Sequence, residues 1–86
     1  MIRVMSHTVA AELVANVYQV IAEVGQLVAP TDTLVILESM KMEIPVLAEV
    51  AGTVTEVAVS EGDVITEGDV IAVIELATER PVRPQV

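Results

Sequence analysis

Eighty-six residues make one small domain, with a core too modest to enclose a deep catalytic pocket. Thirteen Asp and Glu against four Lys and Arg give a net charge of −9, and nucleic-acid phosphates or anionic lipid surfaces would repel such a polyanion. Cysteine is absent, which removes disulfides, thiolate metal sites and cysteine nucleophiles together.

Apolar residues make up 53% of the chain, yet it has no Trp, no Phe and a single Tyr. The core must therefore be built from Val, Ile, Leu and Ala, and the β-branched members favour strands over helices. No apolar run approaches the ~18 residues of a membrane span. Residues 1–11 lack the pattern of a cleaved leader. A cytoplasmic protein with neither a membrane nor a nucleic acid as partner is expected.

In chain order, residues 1–8 read as an N-terminal extension. His7, the only histidine, has no acid beside it in the sequence and reads as an ordinary surface residue. Residues 9–77 read as the domain. Its first half, about 9–38, carries turn signals at Val24-Gly25-Gln26 and Pro30-Thr31-Asp32, and Asn16 suits a left-handed turn position. Its second half, about 46–75, is plainer. A β-branched strand over 53–59 is followed by the turn Ser60-Glu61-Gly62-Asp63, the short strand Val64-Ile65, the turn Thr66-Glu67-Gly68-Asp69 and a last strand over 70–76. Residues 78–86, with Pro81 and Pro84, read as a tail that adds no strand.

The two halves are one unit written twice. A shift of 37 residues lays Val9, Ala11, Glu12, Val17, Val20, Gly25, Asp32 and Glu38 on Val46, Ala48, Glu49, Val54, Val57, Gly62, Asp69 and Glu75. Eight identities in thirty ungapped positions are a duplication signal. Each unit supplies about four short strands and cannot cover both of its own faces. Two units packed face to face would share one core, so the expectation is all-β: a flattened barrel or sandwich of two four-stranded antiparallel sheets with internal two-fold pseudosymmetry.

The repeat ends at Glu38. Ser39-Met40-Lys41-Met42-Glu43 follows in the first copy, where the second has Leu76-Ala77-Thr78-Glu79-Arg80. Lys41, the only lysine, falls where one half reverses into the other and should occupy the tip of a hairpin. An exposed turn lysine is usually a solvated charge, and neighbouring methionines usually fill gaps in a core. Period-two geometry would turn Met40 and Met42 away from Lys41, packing them down while the ammonium extends.

Glu38-Ser39-Met40-Lys41-Met42-Glu43 resembles the attachment motif of the biotinyl/lipoyl attachment domain family, of the biotin carboxyl carrier type, whose commonest form has Ala where Ser39 stands. Val24-Gly25, Ala51-Gly52-Thr53-Val54 and Val59-Ser60-Glu61-Gly62-Asp63-Val64 fit the same family, and the likeness spans roughly residues 9–76. The resemblance implies a non-catalytic carrier in which a biotin protein ligase attaches biotin covalently to Lys41, with Met40 and Met42 as its recognition flanks. It also implies that carboxybiotin shuttles between a biotin carboxylase and a carboxyltransferase. A lipoyl carrier shares the fold but typically has Asp-Lys-Ala at the turn. An unmodified β-barrel assembly module would carry no adduct, and a self-standing enzyme lacks the chain length for a pocket. No metal site is expected. Ala11-Glu12 and Ala48-Glu49 stand where the family often has Ala-Pro, and no "thumb" insertion is present. Which carboxylase is served stays open.

Overall fold

The computed structural model describes residues 5–76. Within them lie eight strands: β1 (Ser6–Ala10), β2 (Ala15–Val20), β3 (Leu27–Val28), β4 (Thr33–Ser39), β5 (Met42–Leu47), β6 (Gly52–Val57), β7 (Val64–Ile65) and β8 (Val70–Leu76). They form two four-stranded sheets, ordered β1-β8-β6-β3 and β5-β4-β2-β7, and every pairing is antiparallel. This is the expected two-sheet architecture. No described residue lies in a helix, so none forms one long and apolar enough to cross a membrane.

The 37-residue shift maps β2 on β6, β3 on β7 and β4 on β8 residue for residue, and β1 on β5 within one residue. The copies nevertheless do not stack as whole sheets. Each sheet is centred on two long strands of one copy, β4 and β2 or β8 and β6, and edged by two strands of the other. The reason is hydrogen bonding. A two-stranded ribbon leaves both outer rows of N–H and C=O groups open, and strands of the other copy close them.

The core follows the duplication. Val17 and Val54, Leu34 and Ile71, Leu37 and Ile74, Val28 and Ile65, Ala11 and Ala48, Val35 and Ala72, and Ala22 and Val59 are twin pairs with both members buried. Val9 is buried over a half-buried twin, Val46. One apolar cluster joins them all, and no buried side-chain polar atom among the described residues lacks a partner.

Short polar turns connect the strands. The Asp63 and Asp69 carboxylates accept hydrogen bonds from the Ser60 and Thr66 N–H groups, each at 2.8 Å. In the first copy Asp32 accepts from Ala29 N–H at 2.8 Å, and Gln26 Oε1 from Glu23 N–H at 3.0 Å. Gly68 has φ +93°, whereas its twin Thr31 turns without a positive φ. The same Asp32 N–H to Ala29 C=O bond closes that turn at 3.0 Å, with Pro30 supplying its preset φ at the second position.

Two sequence expectations need correction. Ser6, His7 and Thr8, assigned to an extension over 1–8, pair with Glu75, Ile74 and Val73. Their twins Glu43, Ile44 and Pro45 share no identity with them, so the repeat could not announce that stretch of strand. Asn16 is not a turn residue: it sits inside β2, paired to Glu38 and Val64. Residues 1–4 and the tail expected over 78–86 lie outside the described residues.

Gly52 is the glycine at which a neighbouring backbone leaves no room for a side chain. It pairs with Leu76, and a Cβ there would press on the Glu75 carbonyl oxygen and meet Ile74 Cγ2 at 2.8 Å. The obstructing atoms include backbone, so the strands must part to admit it. Gly52→Ala should destabilise the domain by about 2–4 kcal/mol, read as a lowered urea midpoint at unchanged m-value.

Candidate attachment site at the β4–β5 turn

β4 and β5 form a hairpin whose last pair is Ser39 with Met42. Met40 and Lys41 are left as a two-residue turn, with φ of 53° and 66°. Two consecutive positive φ values are the mark of a type I′ turn, whose twist matches that of the strands it joins. Asn, Asp and Gly usually fill such a turn, because in the left-handed region the Cβ of other residues crowds the following carbonyl oxygen. Neither residue here is of that kind.

A packing difference between the copies sets how far the hairpin stands out. β6 pairs with β8 as far as Gly52 and Leu76. In the other sheet Ala15 replaces Gly52, and β2 pairs with β4 only from Asn16 and Glu38 onward. The Ser39–Met42 pair and the turn beyond it therefore have no third strand beside them. Lys41 is exposed, and its twin position, Thr78, lies outside the described residues.

The methionines do not pack down as the period-two argument expected. Met40 is 88% exposed and Met42 58%. Met40 belongs to the turn, where strand alternation no longer applies. Met42 points to the same side of β5 as the half-buried Ile44 and Val46, but it lies past the end of the core.

Lys41 is the only Lys or Arg among the described residues, against twelve Asp and Glu. Two of those acids stand directly behind the turn, where Glu38 is paired with Glu43. A two-residue loop is closed by a hydrogen-bonded pair, so the next pair is of the closer, non-hydrogen-bonded kind. The sequence shows both glutamates but not that they face each other; the two-residue spacing of the turn was the missing signal.

Other openings offer less chemistry. A groove of about 520 Å³ runs between β1 and β5, with Val9, Leu37, Ile44 and Val46 among its lining and His7 and Glu49 at its rim. His7 Nε2 lies 3.8 Å from Glu49 Oε1, so the residue read as an isolated surface histidine has an acid neighbour in space. Among the described residues no group of His, Asp and Glu is placed to hold a metal ion. The reactive group the fold presents is a primary amine on a short, well-anchored spur.

Comparison with known proteins shows the family. Residues 4–74 match the biotin/lipoyl family described as "Biotin-requiring enzyme". A protein of Mycobacterium leprae named "Biotinylated protein TB7.3 homolog" is 59% identical over 70 residues, 81% of this chain and 99% of that one. The "Biotin/lipoyl attachment protein" of Bacillus subtilis is 39% identical over 72 residues, 84% of this chain and 99% of its own length. Among solved structures, the urea carboxylase of Kluyveromyces lactis superposes with a TM-score of 0.77 at 31% identity, over 81% of this chain and 6% of that one. Duplicated sheets, a projecting Met-Lys-Met turn and these matches together place the chain in the biotin/lipoyl attachment family, as a non-catalytic biotin carrier domain of the kind found in biotin-dependent carboxylases.

Proposed function

We propose that Lys41 is the residue that carries biotin, joined by a biotin protein ligase as an amide between the biotin carboxyl group and Nζ. The loaded carrier then moves between a biotin carboxylase and a carboxyltransferase. The observation that carries this reading is the position of the chain's single lysine at the exposed second residue of a two-residue turn. The residues present fit the group: among the described residues Lys41 enters no ion pair, and its side chain is exposed to an incoming carboxyl.

Bound biotin supplies the ureido nitrogen that accepts and releases the carboxyl group, and the chain supplies reach and docking. The four-carbon stem of Lys41 adds a flexible link to a stiff hairpin. That keeps the cofactor at high effective concentration around whichever site the domain has docked on. Amide formation removes the only lysine charge. The exposed Met40 and Met42 flank the amine as apolar contacts for the ligase, a role consistent with side chains that do not serve the core.

The turn itself supports the same view. A non-glycine residue in the left-handed region costs on the order of 1 kcal/mol, and here two occur in succession. A fold selecting only for its own stability would place Asn-Gly there. Met-Lys in that conformation is accounted for by what it presents.

Purified protein incubated with ligase, ATP and biotin should gain one adduct of biotinyl mass by intact mass spectrometry and bind streptavidin. Lys41→Arg should abolish both, and labelling that persists in that variant would remove Lys41 as the site. No adduct at all would favour the unmodified module, and a lipoyl mass gained instead on incubation with a lipoate ligase, ATP and lipoate would favour the lipoyl carrier. Met40→Asn should raise stability by about 0.5–1 kcal/mol in denaturant unfolding while slowing ligation. Faster ligation by this variant would contradict a recognition role for Met40.

A further inference from the structure

Inward positions of the two copies match because they share a core, whereas outward positions have no such obligation, and on one face they differ in kind. Both central strand pairs carry an irregularity at the same place, between Val17 and Gln19 in β2 and between Val54 and Glu56 in β6. In β6 the intervening residue is Thr55, whose hydroxyl donates to the Val73 carbonyl at 3.2 Å. In β2 it is Tyr18, the chain's only aromatic residue, 52% exposed. Its hydroxyl is too far from Cβ to make the bond that Thr55 makes. Threonine serves the bulge; tyrosine serves something outside it.

The neighbouring pairs differ in the same sense. The register that sets Ser6 against Glu75 in one sheet sets Glu43 against Glu38 in the other. The fold accepts serine at that place, and carboxylates directly opposed are destabilising. Likewise Thr8 with Val73 becomes Pro45 with Ile36. The outer face of the sheet bearing Lys41 thus carries an apolar patch of Tyr18, Ile36 and Pro45 beside a doubled carboxylate. Among the described residues no cationic side chain pairs with either Glu38 or Glu43.

We propose that this face is the docking surface for the biotin protein ligase, which covers Tyr18, Ile36 and Pro45 and seats an Arg or Lys side chain between Glu38 and Glu43. The inference rests on Lys41 as the attachment point. Reach selects the ligase over the carboxylase subunits. An unmodified lysine stem extends only on the order of 6 Å from its Cα, so the enzyme that acylates it must lie against the flanks of the hairpin. Once the biotin arm is added, later partners work at a greater distance. An apolar centre with a charged rim is also the usual anatomy of a specific protein interface, and opposed charges at its edge speed encounter.

The twin residues supply variants that the fold already tolerates. Tyr18→Thr and Glu43→Ser should each raise the ligase KM about tenfold at unchanged kcat, and the rise of KM with salt should flatten in Glu43→Ser. Thr55→Tyr, on the opposite sheet, should leave KM unaltered. Independently of labelling, 15N-labelled Lys41→Arg protein titrated with unlabelled ligase should show perturbed amides at Asn16, Tyr18, Ile36 and Glu43. Perturbation confined to residues 39–42, perturbation on the β1-β8-β6 face, absence of any perturbation, or an unchanged KM in both variants would overturn the proposal. If the wild type takes no adduct while the amides of the Tyr18 face respond, the attachment reading falls and the docking surface stands.

Discussion

Each half of this chain is closed by strands of the other, and the rest of the structure depends on that exchange. The backbone bonds that make it come in twin sets. Gly25 N–H donates to Val54 C=O and Val54 N–H to Gln26 C=O; Gly62 N–H donates to Val17 C=O and Val17 N–H to Asp63 C=O. Through these bonds β3 and β7, only two residues each, find places at the edges of the opposite copy's sheet. An isolated copy would have two open edges and an uncovered apolar face. Stability therefore resides in the pair, and a core substitution in one half is felt across both sheets.

The same exchange explains why the end that bears Lys41 is a hairpin and not a loose loop. β4 and β5 belong to different copies, and their junction is the one crossing from copy to copy along the chain. It must turn tightly, since Ser39 and Met42 are still paired. Ala15 in place of Gly52 then keeps β2 from following β4 to its end. Symmetry places the hairpin, and one broken symmetry frees its tip.

Much of this is legible in the sequence because the constraint is written twice. The turns at Gly25, Gly62 and Gly68 announce themselves, since a positive φ calls for glycine. The strands over 64–65 and 70–76 can be read directly from β-branched runs between Gly-Asp pairs. What failed did so for physical reasons. The tip turn has positive φ at Met40 and Lys41 without the Asn or Gly that normally signals it, so its type and the outward set of both methionines could not be read. The start of β1 was hidden because pairing with β8 asks only for backbone groups at Ser6 and Thr8, and their twins are unlike them. Asn16 misled because its tolerance of a left-handed conformation is a permission, not a demand.

The strong negative charge can be understood from the same geometry. A domain with 53% apolar residues and several exposed ones, Met40, Met42 and Tyr18 among them, risks self-association through patches and open strand edges. Two edges are only two residues long, and β5, an outer strand, carries Pro45 and the charge of Glu43. The remaining carboxylates lie largely in the turns, spread around both ends. Mutual repulsion then keeps copies of the carrier apart while leaving its apolar contacts uncovered for a different surface. The field that one carrier molecule presents against another is one from which a basic surface would gain, so a single distribution of acids opposes self-association and favours contact with cations.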